Sequence, residues 1–147
     1  MFDLNTFAYT SAVLSIIAVV LWVASRIKND VGIVDSFWSL MILAAGISFF
    51  IIYTLHDHSV ISERSLLVLI LLSVWAIRLA AHITWRNWNQ EEDSRYQTIR
   101  KNNQPDFEFK SLYIVFLLQA FLALIVALPL MSVFSSAGKI NTLDYLA

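Results

Sequence analysis

The chain has no cysteine, which excludes a disulfide framework, a thiolate metal site and a thiol nucleophile. It has only 3 glycines and 2 prolines, which excludes disordered and collagen-like classes. Gly32, Gly46 and Gly138 stand alone, so there is no phosphate-cradling glycine loop and no dinucleotide fingerprint. Charged residues make up only 14% and the net charge is −1, so bulk electrostatics offer nothing to nucleic acid. The first seven residues carry no Lys or Arg, whereas a secretory signal has a positive start and a shorter apolar core. The first apolar segment is therefore read as a retained transmembrane helix.

What remains is hydrophobic: 59% of the 147 residues. Apolar runs of about 20 residues recur, the length that crosses a hydrocarbon core of ~30 Å. Four spans are predicted, over residues 7–25, 33–55, 65–88 and 111–134. The fold class is an all-α, polytopic membrane helical bundle, read as a single transmembrane domain over residues 1–147.

The third span is the most informative. Arg78, His82 and Arg86 recur every four residues and so share one helix face. An ionisable side chain at bilayer depth costs roughly 2.5–3.5 kcal/mol and usually faces protein or a wet cavity. Arg78 lies ten residues before Trp88, about 15 Å along a helix, which puts its backbone near the midplane. Asp35, followed by Trp38, sits just inside the second span at the same end. Its candidate partners are Arg78, His82 and Arg86; alternatively it is a first-turn acid favoured by the helix dipole.

The segment between the third and fourth spans holds Glu91, Glu92, Asp93, Arg95 and Arg100 at helical spacings, so a short interfacial helix is expected. Pro105 and Asp106 mark a break before the fourth span, which carries Gln119 and, near its end, Pro129. A lone intramembrane Gln is an interhelical hydrogen-bonding group. No metal site is expected: Arg86 and Arg95 neutralise Glu91–Asp93, and His56-Asp57-His58 lacks further ligands and reads as a solvated loop.

An ordered series of motifs then carries a resemblance. It runs Asp35-x-x-Trp38, Trp75-x-x-Arg78-Leu79-x-x-His82-Ile83, Arg86-Asn87, Glu92-Asp93-x-Arg95-Tyr96 and Ser111-Leu112-x-x-Val115-Phe116-x-x-Gln119-Ala120. This series resembles the bacterial branch of the steroid 5-alpha-reductase-like membrane proteins, over nearly the whole chain. The resemblance implies an NAD(P)H-dependent reductase of carbon–carbon double bonds in a lipid-like or steroid-like substrate, in a bacterial inner membrane. It also implies roles: His82 and Tyr96 as catalytic acids; Arg78, Arg86, Asn87 and Arg95 for the cofactor; Asp35, Trp38, Glu92, Asp93 and Gln119 for the substrate or a polar network. Asn89 stands where the family often has Gly.

Family members look much longer, with an Arg-His-Pro-type stretch in a C-terminal half that this sequence does not contain. The expectation is an N-terminal half, truncated or split, that is inactive alone and does not bind NADPH or NADH alone. Its expected partners are the bilayer, a separately encoded C-terminal half or a second copy. The competing readings are a non-catalytic four-helix protein that binds a lipid or a partner bundle, and a relative of lipid-modifying membrane methyltransferases.

Orientation follows from positive charge near span ends. Arg26 and Lys28 follow the first span; Arg86, Arg95, Arg100, Lys101 and Lys110 follow the third. The opposite side has Arg64 and Lys139. Seven against two puts the site loops in the cytoplasm and both termini outside. A reporter active only in the cytoplasm, fused to Ala147, is therefore expected to stay silent; a strong signal there contradicts this orientation.

Overall fold

The computed structural model describes residues 3–57 and 62–135. Lys139 and the side chains of the His56-Asp57-His58 cluster lie outside the described residues. Within them the chain is entirely helical. Helix α1 is Leu4–Lys28, α2 is Ile33–Asp57, α3 is Glu63–Arg86 and α4 is Ser94–Asn102. The fourth span is composite: α5 (Phe107–Ser111), a π-helical segment (Leu112–Leu117) and α6 (Leu118–Phe134) run on as one rod. Among the described residues, four helices are long and apolar enough to cross a membrane. The interfacial helix expected between the third and fourth spans is α4.

Caps explain why α1 outruns its apolar core. The Asp3 carboxylate accepts from the Asn5 N–H at 3.0 Å and from the Thr6 hydroxyl. At the other end Asn29 turns left-handed (φ 53°) and its N–H bonds to the Ser25 carbonyl. At the C-terminus of α3 the structure corrects the expectation: the helix stops at Arg86, and Trp88 lies in the following turn. Pro129 does not end the fourth span; α6 continues through it to Phe134. Within a bilayer such a proline is tolerated when neighbouring helices and local adjustments satisfy the freed backbone group.

Side-chain size decides which faces meet. The buried face of α1 is Thr6, Thr10, Leu14, Ala18, Leu21 and Ser25, while Tyr9, Ile16, Val20 and Ile27 on its other faces are exposed. Lipid tails are as apolar as Leu, so a bilayer gives no reason to bury Ile before Ala. Small residues let backbones approach instead. Helix α2 is the centre of the bundle and packs against α1, α3 and α6. Phe49, Phe116, Met41 and Leu14 are fully buried there. Gly46 of α2 sits under α3 and α6: a Cβ there would come within 2.6 Å of Leu72 Cδ2 and 3.3 Å of Leu130 Cδ1. The Ser39 hydroxyl donates to the Ala76 carbonyl across the α2–α3 contact at 2.9 Å, both groups buried. Helix α3 packs mainly on α2, and leaves most of its surface outward.

Candidate functional site

One end of the bundle is polar, and it is built from two segments far apart in sequence. The turn from α1 to α2 meets the segment from Asn87 to Ser111. Glu92 is the joint. Its Oε1 accepts the Val31 N–H at 2.9 Å, and Arg100 donates to both of its oxygens at 3.1 and 2.8 Å. Gln97 Nε2 donates to the Glu92 carbonyl at 2.6 Å, and the Arg100 guanidinium lies 4.7 Å over the ring of buried Phe107. Nearby, Trp22 Nε1 donates to the Glu108 carbonyl at 2.8 Å, and Arg26 pairs with the Glu108 carboxylate. Trp22 thus ties α1 to α5.

Asp35 occupies the first turn of α2, where the dipole favours a carboxylate. Its partners correct the sequence expectation. They are not Arg78, His82 or Arg86 but Tyr96, whose hydroxyl donates to Oδ1 at 2.6 Å, and Arg95, whose Nη2 donates to Oδ2 at 3.1 Å. The reason is geometric. Helix α4 folds back over the start of α2, whereas the buried face of α3 is that of Ala76 and Ala80. Arg78 and His82 lie two residues on from these, about 200° around the helix. Both are exposed, with no ion pair or side-chain hydrogen bond among the described residues. Arg86 is exposed too, and its Nε reaches only the Asn87 side-chain oxygen at 3.2 Å.

Arg95 is further engaged by Asp93, with Nε to Oδ1 at 3.0 Å and Nη2 to Oδ2 at 3.1 Å. Asp93 also caps α4 by accepting the Arg95 N–H. These hydrogen bonds from the Arg95 side chain and backbone hold the Asp93 carboxyl below its usual range. In return, Asp93 first and then Asp35 hold Arg95 firmly protonated. Asn89 adopts φ 58°, the left-handed conformation a glycine would supply, and asparagine tolerates it. Trp38 is half-buried against the core, with its Nε1 buried and unpaired among the described residues. Gln119 is half-buried at the start of α6 and makes no side-chain hydrogen bond among them.

This architecture encloses a polar cavity of ≈ 450 Å³ between the entrance of α2 and the turn after α3. Four acids line it (Asp30, Asp35, Glu91 and Asp93) against one base, Lys28. Neutral amides from Asn87, Asn89 and Gln90 complete the wall. Beside it, between α2 and α3, runs an apolar groove of ≈ 480 Å³ lined by Phe37, Leu40, Ile77 and Trp85. Ser36, Thr84 and Trp88 belong to both. The polar cavity and the apolar groove are therefore neighbours with wall residues in common. Neither Tyr96 nor any arginine lines the cavity.

A protein-family model described as "Protein of unknown function (DUF1295)" matches residues 21–147. The chain belongs to the DUF1295 family. The match takes in the cavity, the groove and every residue of the Asp35–Tyr96 and Glu92–Arg100 contacts. No curated protein and no solved structure matches the chain.

The Asp35–Tyr96 contact is also a titrating one. Burial first, and then the hydrogen bond to Asp35, push the Tyr96 phenol well above its ordinary 10.0. The folded state therefore holds this proton more tightly than the unfolded chain does. The stability this contributes is intact below the ordinary phenol value and is lost as pH rises beyond it. Comparing the phenolate absorbance of the folded chain with that of Tyr96→Phe isolates this group. The difference is expected to appear only well above pH 10; a difference already complete at pH 10 would show that the phenol is not buried on Asp35.

Proposed function

We propose that the chain is the substrate-binding part of a steroid 5-alpha-reductase-like membrane enzyme, an NAD(P)H-dependent reductase of carbon–carbon double bonds in a lipid-like substrate. One observation carries this reading: the polar cavity and the apolar groove share Ser36, Thr84 and Trp88. An amphiphile can place its head in the first and its tail in the second without leaving the membrane. In this reading the polar end faces the cytoplasm of a bacterial inner membrane.

The lining selects the head group. Four carboxylates against one Lys repel phosphate and favour a head that donates hydrogen bonds, whether hydroxyl or cationic. Asp35 is the cavity-lining acceptor, and Tyr96 and Arg95 fix its rotamer from behind, as positioning residues. The Tyr96 proton is committed to Asp35, so the phenol serves Asp35 and is not offered to the cavity. The same lining does not fit a dinucleotide. Arg78 lies on the far face of α3 and Arg95 is neutralised by Asp93 and Asp35, so among the described residues Lys28 is the one base that lines the cavity for a phosphate, against four acids. The reading accordingly assigns the nicotinamide cofactor to protein outside the described residues. A non-catalytic lipid-binding protein is the second reading, and the same commitment of Tyr96 and Arg95 to carboxylates favours it.

Trp85 and Trp88 make the site readable by fluorescence. Amphiphiles with brominated tails and hydroxyl, quaternary ammonium or phosphate heads are titrated into the purified chain in nanodiscs. The first two are expected to quench. The phosphate head is expected to bind about tenfold more weakly, the equivalent of one charge contact of roughly 1.4 kcal/mol. Asp35→Asn is expected to weaken the cationic head by a similar factor. NADPH added to the chain alone is expected to show no micromolar binding. Equal quenching by all three heads overturns the head-group assignment, and tight NADPH binding overturns the placement of the cofactor. Adding the remaining membrane half of a longer relative separates the two readings, since only the enzyme then reduces an enone lipid.

A further inference from the structure

Helix α3 has a second seam that nothing among the described residues covers. Leu71, Trp75, Arg78 and His82 follow one another at intervals of four, three and four residues, the spacing of the contact positions in paired helices. All four are exposed, Leu71 by 60% and Trp75 by 42%. They lie on the side away from Ala76 and Ala80, which pack on α2. The seam holds Arg78 and His82, neither of which has an ion pair or side-chain hydrogen bond among the described residues. Arg78 starts eight residues, about 12 Å, inside the polar end of α3, so its guanidinium is costly to leave against acyl chains.

We infer that this face of α3 docks a further transmembrane helix carrying an Asp or Glu at the depth of Arg78. Charge complementarity selects that occupant. A bare hydrophobic helix would bury Arg78 without a partner. A second copy packed through this face about an axis normal to the membrane sets Arg78 against Arg78. It also brings no carboxylate: the acid on α3 itself, Glu63, lies fifteen residues back, about 22 Å away. Asp35, the carboxylate in the first turn of α2, is already taken by Tyr96 and Arg95. The inference rests on the four membrane spans and is independent of the proposed activity.

The test places a photoreactive amino acid at Val74, which flanks the seam, in the full chain in its own host membrane. The control position is Ile16, an exposed residue of α1. After irradiation the attached peptide is sequenced by mass spectrometry. The expected adduct at Val74 is an apolar segment of about 20 residues with Asp or Glu within about one turn of the attachment, absent at Ile16. Arg78→Gln is expected to lower its yield about fivefold or more, the range of intramembrane polar contacts, and Arg78→Lys to retain it. Arg78 is exposed and makes no ion pair or side-chain hydrogen bond among the described residues, so neither variant is expected to disturb the bundle; an unchanged thermal unfolding transition followed by circular dichroism checks this. Adducts only with lipid, with α3 of a second copy, with residues 136–147 of the same chain or with an acid-free helix overturn the inference. So does the absence of any adduct, or a yield indifferent to Arg78→Gln.

Discussion

Glu92 and Val31 are 61 residues apart in sequence, and the bond between them decides what the polar end of this bundle is. The turn from α1 into α2 presents backbone N–H groups that no backbone carbonyl accepts. The Glu92 carboxylate takes one of them, and the Asp30 side chain takes another, from Gly32 at 2.8 Å. With its side chain only 13% exposed, Glu92 would be expensive to hold as a bare charge; Arg100 offsets that through two hydrogen bonds. Once Glu92 is seated, α4 must lie over the start of α2. That delivers Tyr96 and Arg95 to Asp35 and closes the wall of the cavity. The chamber is thus a consequence of satisfying the turn that leads into α2.

The bundle below it is held differently. Its spans show little amphipathy, because lipid and protein interior are equally apolar. Contact follows small residues: Ala18 and Ser25 on α1, Ser39 and Gly46 on α2, Ala76 and Ala80 on α3, Ala120, Ala123 and Ala127 on α6. This explains why the number and rough limits of the spans were legible in the sequence while the faces were not. Hydropathy reports what can enter a membrane, and length reports what can cross it. Neither says which side of α3 meets α2. The expectation that Arg78 and His82 would turn inward to Asp35 failed there: Ala76 and Ala80 permit close approach, and the charged face was left outside.

The site was legible in part. Asp35, Glu92, Asp93, Arg95 and Tyr96 stand out as ionisable groups at a membrane end, and all five meet at the polar end of the bundle. Their pairing was not legible, because it depends on how α4 folds back, which no local spacing encodes. The Trp22–Glu108 bond, which joins α1 to α5, left no sequence signal beyond a tryptophan and an acid. Asn89 shows the converse case: asparagine in a glycine's place keeps the left-handed turn that the cavity wall requires.

If Glu92 is the joint on which the chamber depends, removing it must free α4 while the spans stay packed. Amide hydrogen–deuterium exchange of Glu92→Ala against the unaltered chain in nanodiscs measures this directly. The account predicts lost protection at Val31 and across Ser94–Asn102, with α1 and the membrane-embedded core of α2 unchanged. Retained protection of Ser94–Asn102 in that variant would contradict it and would mean that α4 is held in place by something other than the entrance of α2.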